Sequence, residues 1–348
     1  MLIAHCFQIL HIDFDKTQIL CYNRTMLPIT DVYKKMPKDA LDIIEQTFDP
    51  AVFDKILQAF RAKRKTTFRV NTLRSTKKEV VDTLRQSGFK FRELQYLPNA
   101  FILDDEADNK LLKTDLAADG KIYLQSTSSM IPPVVLSPQP NETILDMAAA
   151  PGSKTSQIAA YMGNTGRIVA AESDKLRIQR LEHNLNLLGV TNTETVCGDS
   201  TKLTLDTLGG QLFDRILIDA PCSGEGRFNL YDRQSYGLWR KGSMFTLSNL
   251  QKKMLLHGIT LLRSGGTAVY STCTLNIHEN EEVVQHLLDN CADVKIVPVN
   301  DEFINMNNTM SGFTSFGGQK FDKSLKNCLR VIPSQETEGF FICKIIKK

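Results

Sequence analysis

Residues 142–155 read ETILDMAAAPGSKT. An apolar run ending in an acid meets three alanines, a proline and a glycine, and a helical pattern, SKTSQIAAYM (153–162), follows at once. The order predicts a buried strand, a tight small-residue turn and a helix. The rhythm then repeats. GRIVAAE (166–172) precedes the helix DKLRIQRLEHNLNLLG (174–189), and TETVCGD (193–199) and FDRILID (213–219) are further strands. TLSNLQKKMLLHGITLLR (246–263) is a long helix leading into GGTAVYSTC (265–273). A helix over 277–290, a strand over 293–299 and a closing strand, EGFFICKII (338–346), complete the series. Strands that are apolar throughout and alternate with helices predict an α/β fold, a doubly wound, mostly parallel Rossmann-like sheet covered on both faces.

Upstream the rhythm differs. Residues 28–62 carry apolar positions at helical spacing and end in the basic run RAKRK (61–65). TTFRVNTL (66–73) reads as a strand, STKKEVVDTLRQSGF (75–89) as a helix capped by Ser75 or Thr76 and ended at Gly88, and KFRELQYLPNAFILDD (90–105) as two strands across a turn. The predicted division is an N-terminal segment 1–27 assigned to no element, a helical lead-in with a small α/β unit over 28–125, and a larger domain over 126–348. Met26 is an alternative start, and the first residues lack the basic region of a signal peptide.

Bulk composition narrows the classes. The 348 residues are 42% hydrophobic and 23% charged with a net charge of +3, ordinary for a globular chain. No apolar run is long enough for a membrane span. The eight cysteines show no C-x-x-C pair, so neither a metal site nor a redox pair is expected. Free thiols suit a reducing, cytoplasmic location.

In an open parallel sheet, ligands bind beyond the carboxyl ends of the strands. There the sequence gathers polar and reactive groups: DMAAAPGSK after the first strand, Glu172 after the second, Asp199 in GDS after the third, DAPCS after the fourth and STCT after the fifth. The small-residue turn Ala149, Ala150, Pro151, Gly152, Ser153, Lys154 lets a ligand approach backbone N–H groups at a helix start. It is not a phosphate-binding P-loop, because Ser153 separates Gly152 from Lys154 and Met147 stands at the first glycine position. Glu172 can accept both hydroxyls of a ribose, and Asp199 can meet an adenine amino group. Together these residues suggest S-adenosyl-L-methionine.

Two cysteines, Cys222 and Cys273, end adjacent strands beside that site. A thiolate next to a methyl donor has a known use. Addition at C6 of cytosine makes C5 nucleophilic enough to take a methyl group, after which a base removes the C5 proton and the thiol leaves. Asp219 stands where it can assist at N3 and N4.

DMAAAPGSKT, DAPCSGEGRF and STCTLNIHENEEVV resemble the signature motifs of the Sun/Fmu family of RNA cytosine-5 methyltransferases, and FRVNTL, YLQSTSSM and TEGFFICKI resemble its flanking segments. The resemblance runs from about residue 66 to the C-terminus. It implies that Cys273 is the nucleophile, that Cys222 assists release of the methylated RNA, that Asp219 holds the base, and that Lys154 lies near the reacting atoms. It places cofactor contacts on the Ala149–Lys154 loop, Glu172, Asp199 and Asp219. The usual Gly-Gly-Lys is Gly-Ser-Lys here, and Ala149 stands where a cysteine is common. The implied partner is rRNA or tRNA, bound by a monomer without metal. Arg61, Lys63, Arg64 and Lys65 are candidates for its phosphates. A non-catalytic RNA binder has no need of both thiols. Exocyclic-amine methyltransferases carry an Asp/Asn-Pro-Pro-aromatic turn where DAPC stands.

Overall fold

A computed structural model of the chain describes residues 26–104, 108–299, 303 and 306–348. The segment 1–25 lies outside the described residues, and with it the question of its assignment.

Three short helices open the described chain: α1 (Ile29–Lys35), α2 (Lys38–Thr47) and α3 (Pro50–Arg61). Asp49 caps α3 by accepting from the N–H groups of Ala51 and Val52, and Pro50 needs no partner at the first helical position. The apolar stripes of these helices bury Ile44, Phe53, Ile56 and Phe60 against Phe228, Leu230, Tyr236, Trp239 and Leu275. The lead-in therefore packs on the loops that follow the two cysteines.

The small α/β unit is an antiparallel sheet in the order β2-β3-β1-β4, with β1 (Thr67–Val70), β2 (Phe91–Glu93), β3 (Ala100–Leu103) and β4 (Ile122–Leu124). Helix α4 (Lys77–Gln86) and the short α5 (Asp108–Leu112) and α6 (Asp115–Ala118) complete it. Thr76 caps α4, as the sequence suggests, by accepting from Glu79 N–H. The unit has its own core around Phe68, Leu84, Phe101 and Leu111.

Helix α7 (Thr127–Leu136) leads into the large sheet. Its two interior prolines, Pro132 and Pro133, hide it from a reading based on helix propensity, yet it is almost wholly buried. The parallel strands are β5 (Thr143–Asp146), β6 (Arg167–Glu172), β7 (Thr193–Cys197), β8 (Phe213–Asp219) and β9 (Leu262–Thr272), in spatial order β9-β8-β5-β6-β7. Helices α8 (Ser153–Met162), α9 (Lys175–Leu187), α10 (Lys241–Leu261) and α11 (Glu281–Asn290) connect or cover them. Beyond β9 the sheet turns antiparallel through β15 (Phe340–Lys347), β14 (Leu329–Val331) and β11 (Thr309–Ser311), while β10 (Val294–Val297) pairs with the far end of β15. A hairpin, β12 (Ser315–Phe316) with β13 (Gln319–Lys320), stands apart. Two apolar layers, one around Leu145, Ile216, Ile218 and Tyr270 and one around Ile144, Leu217, Val269 and Ile342, fill the two faces. The sheet is thus the mixed, mostly parallel α/β sheet expected. Strand order reverses between β5 and β8, which makes the crevice beyond their ends the binding position.

Candidate active site

The loop after β5 is held open by its neighbours. Gly152 starts α8 at φ 100°, and a Cβ there would also lie 3.0 Å from the Leu181 side chain. Helix α9 pins the turn: Arg177 donates to the Ala150 carbonyl at 2.8 Å and Asn184 to the Pro151 carbonyl at 2.7 Å. Beneath the loop, Asp146 accepts from the Thr155 hydroxyl at 2.7 Å, and burial pushes its carboxyl up to about 6.

Glu172 at the end of β6 is 2% exposed. One carboxylate oxygen accepts from the N–H groups of Ser173 and Asp174 at 2.8 and 3.1 Å. The other is buried without a hydrogen bond, although the Arg177 guanidinium approaches to 3.1 Å as an ion pair. A buried oxygen left in that state is costly unless a ligand completes it. Ribose hydroxyls are donors of the right kind, so the residues present fit S-adenosylmethionine. Asp199 is exposed beyond β7, where hydrogen bonds from the Thr201 hydroxyl and N–H hold its carboxyl below the ordinary value.

Next along the rim, Lys154 donates to Asp219 at 2.6 Å and to the Ser129 hydroxyl at 2.9 Å. Burial lowers the Lys154 ammonium, but the charge and hydrogen bond of Asp219 outweigh it, and the net shift is upward. The lysine stays charged and fixes the aspartate. Ser271 donates to the other Asp219 oxygen at 2.7 Å.

The two sulfurs lie 3.1 Å apart, and the Cys273 N–H points at the Cys222 sulfur at 3.3 Å. The hydrogen bond to Cys273, burial and the Cys273 charge push the Cys222 thiol well up. Cys222 is thus held toward its thiol form, from which it can serve as the donor in this contact. A cleft of about 350 Å³ opens onto Cys273, with Lys154, Asp219, Gln125, Arg227, Glu338 and Phe340 among its walls. The Cys273 charge holds the Arg227 guanidinium above its ordinary value.

The structure thus gathers the Ala149–Lys154 loop, Glu172, Asp219, Cys222 and Cys273 along one rim, with Asp199 farther out. The basic run behaves differently. Arg64 faces Glu338 at 3.6 Å and donates to the carbonyls of Arg227 and Phe228 at 3.4 and 3.5 Å. Lys65 faces Glu336 at 3.8 Å, Arg61 reaches Met26 Sδ at 3.6 Å, and Lys63 is exposed. Part of the run is stitched to residues 335–338 and is not a bare basic face.

Several residues that complete the site are invisible to motif reading. Arg69 on β1 is 3% exposed and donates to Gln125 at 2.9 Å, to Ser156 at 2.7 Å and to the Ser153 carbonyl at 3.2 Å. Burial lowers its guanidinium to about 10, so it stays charged at neutral pH. Arg330, 1% exposed, pairs with Glu281 through two nitrogens and donates to the Leu275 carbonyl at 2.8 Å. Glu225 and Glu279 were present within the quoted motifs, but their spacing alone carries no sign that they meet.

Comparison with known proteins identifies the family. The family model described as 16S rRNA methyltransferase RsmB/F matches residues 133–346, and one described as an RsmF/B-like ferredoxin-like domain matches 37–109. The 25S rRNA (cytosine-C(5))-methyltransferase nop2 of Schizosaccharomyces pombe is 35% identical over 88% of this chain and 50% of its own length. The tRNA (cytosine(49)-C(5))-methyltransferase of Pyrococcus abyssi is 37% identical over 80% of this chain and 87% of its own. Ribosomal RNA small subunit methyltransferase F of Salmonella heidelberg is 34% identical over 85% of this chain and 60% of its own. The chain therefore spans about half to three fifths of the ribosomal RNA relatives. Among solved structures, a methyltransferase homologue from Pyrococcus horikoshii aligns over 92% of this chain and 98% of its own, with a TM-score of 0.79 and 33% identity. The chain belongs to the RsmB/F family, the Sun/Fmu family of RNA cytosine-5 methyltransferases.

Proposed function

We propose that the chain transfers a methyl group to C5 of a cytosine in rRNA or tRNA through a covalent adduct at Cys273. The observation that carries this is the pair of free thiols 3.1 Å apart, beside a half-buried Lys154–Asp219 pair at the sheet's switch point.

S-adenosylmethionine, when bound, supplies the methyl group as an electrophile. Glu172 would hold its ribose, the Ala149–Lys154 loop its amino-acid part and Asp199 its adenine side. Cys273 adds as thiolate to C6 of the base, which places an electron pair at C5. Asp219, oriented by Lys154 and Ser271, holds the base by accepting from its N4 amino group, and the Lys154 ammonium beside it offsets the negative charge that the addition puts on the ring. Once C5 carries the methyl group, a base takes the C5 proton, the C5–C6 double bond re-forms and the Cys273–C6 bond breaks. Cys222, which faces the same sulfur, assists that last step. The target base must be unstacked to reach both sides of this rim.

The ferredoxin-like unit and the adjoining basic run would hold the RNA. Arg61, Lys63, Arg64 and Lys65 supply the charge, with Arg64 and Lys65 exchanging Glu338 and Glu336 for phosphates. Residues 28–125 and 126–348 are then the RNA-binding and catalytic parts of one monomer. Free thiols in working contact need a reducing compartment such as the cytoplasm. Among the described residues no helix is long and apolar enough to cross a membrane.

Bisulfite sequencing of total RNA from cells with and without the gene tests the proposal. A cytosine whose protection disappears with the gene, and returns with the wild-type chain but not with Cys273→Ala, supports it. Identical protection maps would overturn it.

A further inference from the structure

Two buried carboxyl side chains sit directly behind the thiols. Glu225 lies three residues after Cys222, and Glu279 six after Cys273. Both are fully buried. They meet around the residues that immediately follow the cysteines, Ser223 and Thr274.

The hydrogens in this cluster can be counted. Trp239 Nε1–H donates to Glu225 Oε1 at 2.7 Å, and the Thr274 hydroxyl donates to Glu225 Oε2. Ser223 N–H and Gln251 Nε2–H donate to Glu279 Oε2 at 3.0 and 2.7 Å. The Ser223 hydroxyl oxygen then lies 2.8 Å from both oxygens of Glu225 and in close contact with Glu279 Oε1. A serine hydroxyl owns one hydrogen. Given to Glu225, it leaves the Ser223–Glu279 contact with none. Given to Glu279, it leaves Glu225 facing bare lone pairs. Asn276 Nδ2 lies 2.8 Å from Thr274 Oγ1, 2.9 Å from Glu279 Oε1, 3.1 Å from Ser223 Oγ and 3.3 Å from both Glu225 oxygens; its two hydrogens serve two of these contacts and do not lie on the line between the serine oxygen and Glu279 Oε1. One more proton is needed.

We propose that Glu225 and Glu279 share that proton as one buried unit, which ties the loop after Cys222 to the loop after Cys273 and so sets the spacing of the two thiols. The proton sits on Glu279 Oε1 and is donated to the Ser223 oxygen, whose own hydrogen goes to Glu225. The Ser223 oxygen then has one hydrogen toward each acid. Burial and the Glu225 charge push the Glu279 carboxyl up to about 7, in the direction this arrangement requires. Loss of the proton places two negative charges in one water-free cluster, where they repel across the join between the loops.

The other charged and titratable groups around the unit leave this assignment in place. Cys222 and Cys273 lie on the substrate side. Tyr270 lies beneath, its hydroxyl donating to the Glu279 carbonyl at 2.6 Å, and burial pushes it well up. On the helix side, Glu281 is matched by Arg330 and Glu282 by His278 at 2.9 Å. None of them offers the missing hydrogen to the Ser223–Glu279 contact. Glu225 and Glu279 are positioning residues, since neither lines the cleft that opens onto Cys273.

This rests on the methyl-transfer reading for its kinetic consequence and is independent of it for the proton itself. Infrared spectroscopy of the full chain reads the proton without substrate. The expected result is a protonated-carboxyl C=O band at pH 6 that titrates away near pH 7 and is missing in Glu279→Gln. The second buried acid pushed up, Asp146, supplies a separate band that Glu279→Gln leaves in place. Glutamine is neutral and brings hydrogens of its own, so the variant keeps the loops joined. In the methylation assay, the wild-type decline above neutral pH should move upward by about one pH unit or more in Glu279→Gln. Glu225→Gln should shift the titration of the Glu279 band to lower pH, because the neighbouring charge is gone while burial remains. Identical wild-type and Glu279→Gln spectra at pH 6 overturn the proposal whether or not the chain methylates RNA. An unmoved alkaline decline overturns the positioning role.

Discussion

Glu172 and Glu279 are both buried carboxyls beyond the carboxyl ends of strands of one sheet, and their surroundings are opposites. Around Glu279 both carboxyl oxygens are matched within the chain, although Gln251, one of its donors, keeps its own amide oxygen buried without a hydrogen bond. Glu172 has one oxygen matched and one buried with no hydrogen bond. The half of the rim over β8 and β9 is finished by the fold. Over β6 the second Glu172 oxygen has an ion pair with Arg177 at 3.1 Å and no hydrogen bond. An unmatched buried oxygen costs about 1–3 kcal/mol, which binding can return, whereas a saturated cluster gains little from a visitor and serves as framework.

This contrast can be broken at several points. The largest effect is expected from Cys273→Ala, which should bring methyl transfer below detection while cofactor affinity, measured by calorimetry, stays within about twofold. Retained turnover would remove the thiol rim from the chemistry. Cys222→Ala should accumulate a protein–RNA adduct that survives denaturing gels, because Cys273 still attacks but is released slowly. Normal turnover without adduct would make Cys222 a packing residue.

On the other half of the rim, Glu172→Ala should weaken S-adenosylmethionine binding by about 1.5–3 kcal/mol, roughly 10- to 150-fold. An unchanged dissociation constant would mean that the orphan oxygen is not the ribose contact.

Stability against pH sharpens the comparison further. Glu279 has a folded value of about 7 against an ordinary 4.5, so the native state holds a proton that the unfolded chain releases. Its contribution is complete below about 4.5 and is lost as pH rises to about 7. A gap of about 2.5 pH units at about 1.4 kcal/mol each bounds the loss at about 3–4 kcal/mol. Urea titrations between pH 5 and 8 should show a decline that Glu279→Gln flattens. Glu172→Gln should leave it in place.

The smallest effect concerns the basic run. Changing Arg61, Lys63, Arg64 and Lys65 to Ala should flatten the salt dependence of RNA binding by about 0.7–0.9 in slope per lost phosphate contact. Arg64→Ala alone should also lower stability, by about 1 kcal/mol or less, since it unties Glu338. An unchanged slope in the quadruple variant would move the RNA to another surface.

The sheet was legible because its central strands are largely apolar and its helices carry clear periodicity, although the edge strand β7, TETVC, is more polar and has no fully buried residue. The rim followed from a rule of topology: Cys222, Cys273, Asp219 and Lys154 each stand where a strand stops or a helix begins. What escaped was tertiary. Helix α7 escaped because Pro132 and Pro133 argue locally against a helix that burial enforces. Arg69 reads as one charged residue in a strand, and only the fold turns it toward Ser153 and Gln125. Arg64 read only as a candidate for RNA phosphates because its partner within the chain, Glu338, lies over 270 residues away in sequence. Pairings at such separation leave no mark in composition or spacing.

Arg69 has a consequence of reach. It joins the ferredoxin-like sheet to the start of α8 within the hydrogen-bond lengths of a single buried guanidinium, and Asn71 repeats the tie by donating to the Leu188 carbonyl at 2.8 Å. Sliding one sheet against the other would strand a buried charge, a cost of about 3–5 kcal/mol. The two sheets therefore work like the fixed jaws of a caliper. A nucleic acid clamped on the small sheet would present to the thiols whichever nucleotide lies at the set span, so the target would be chosen by length along the strand as much as by the letters around it.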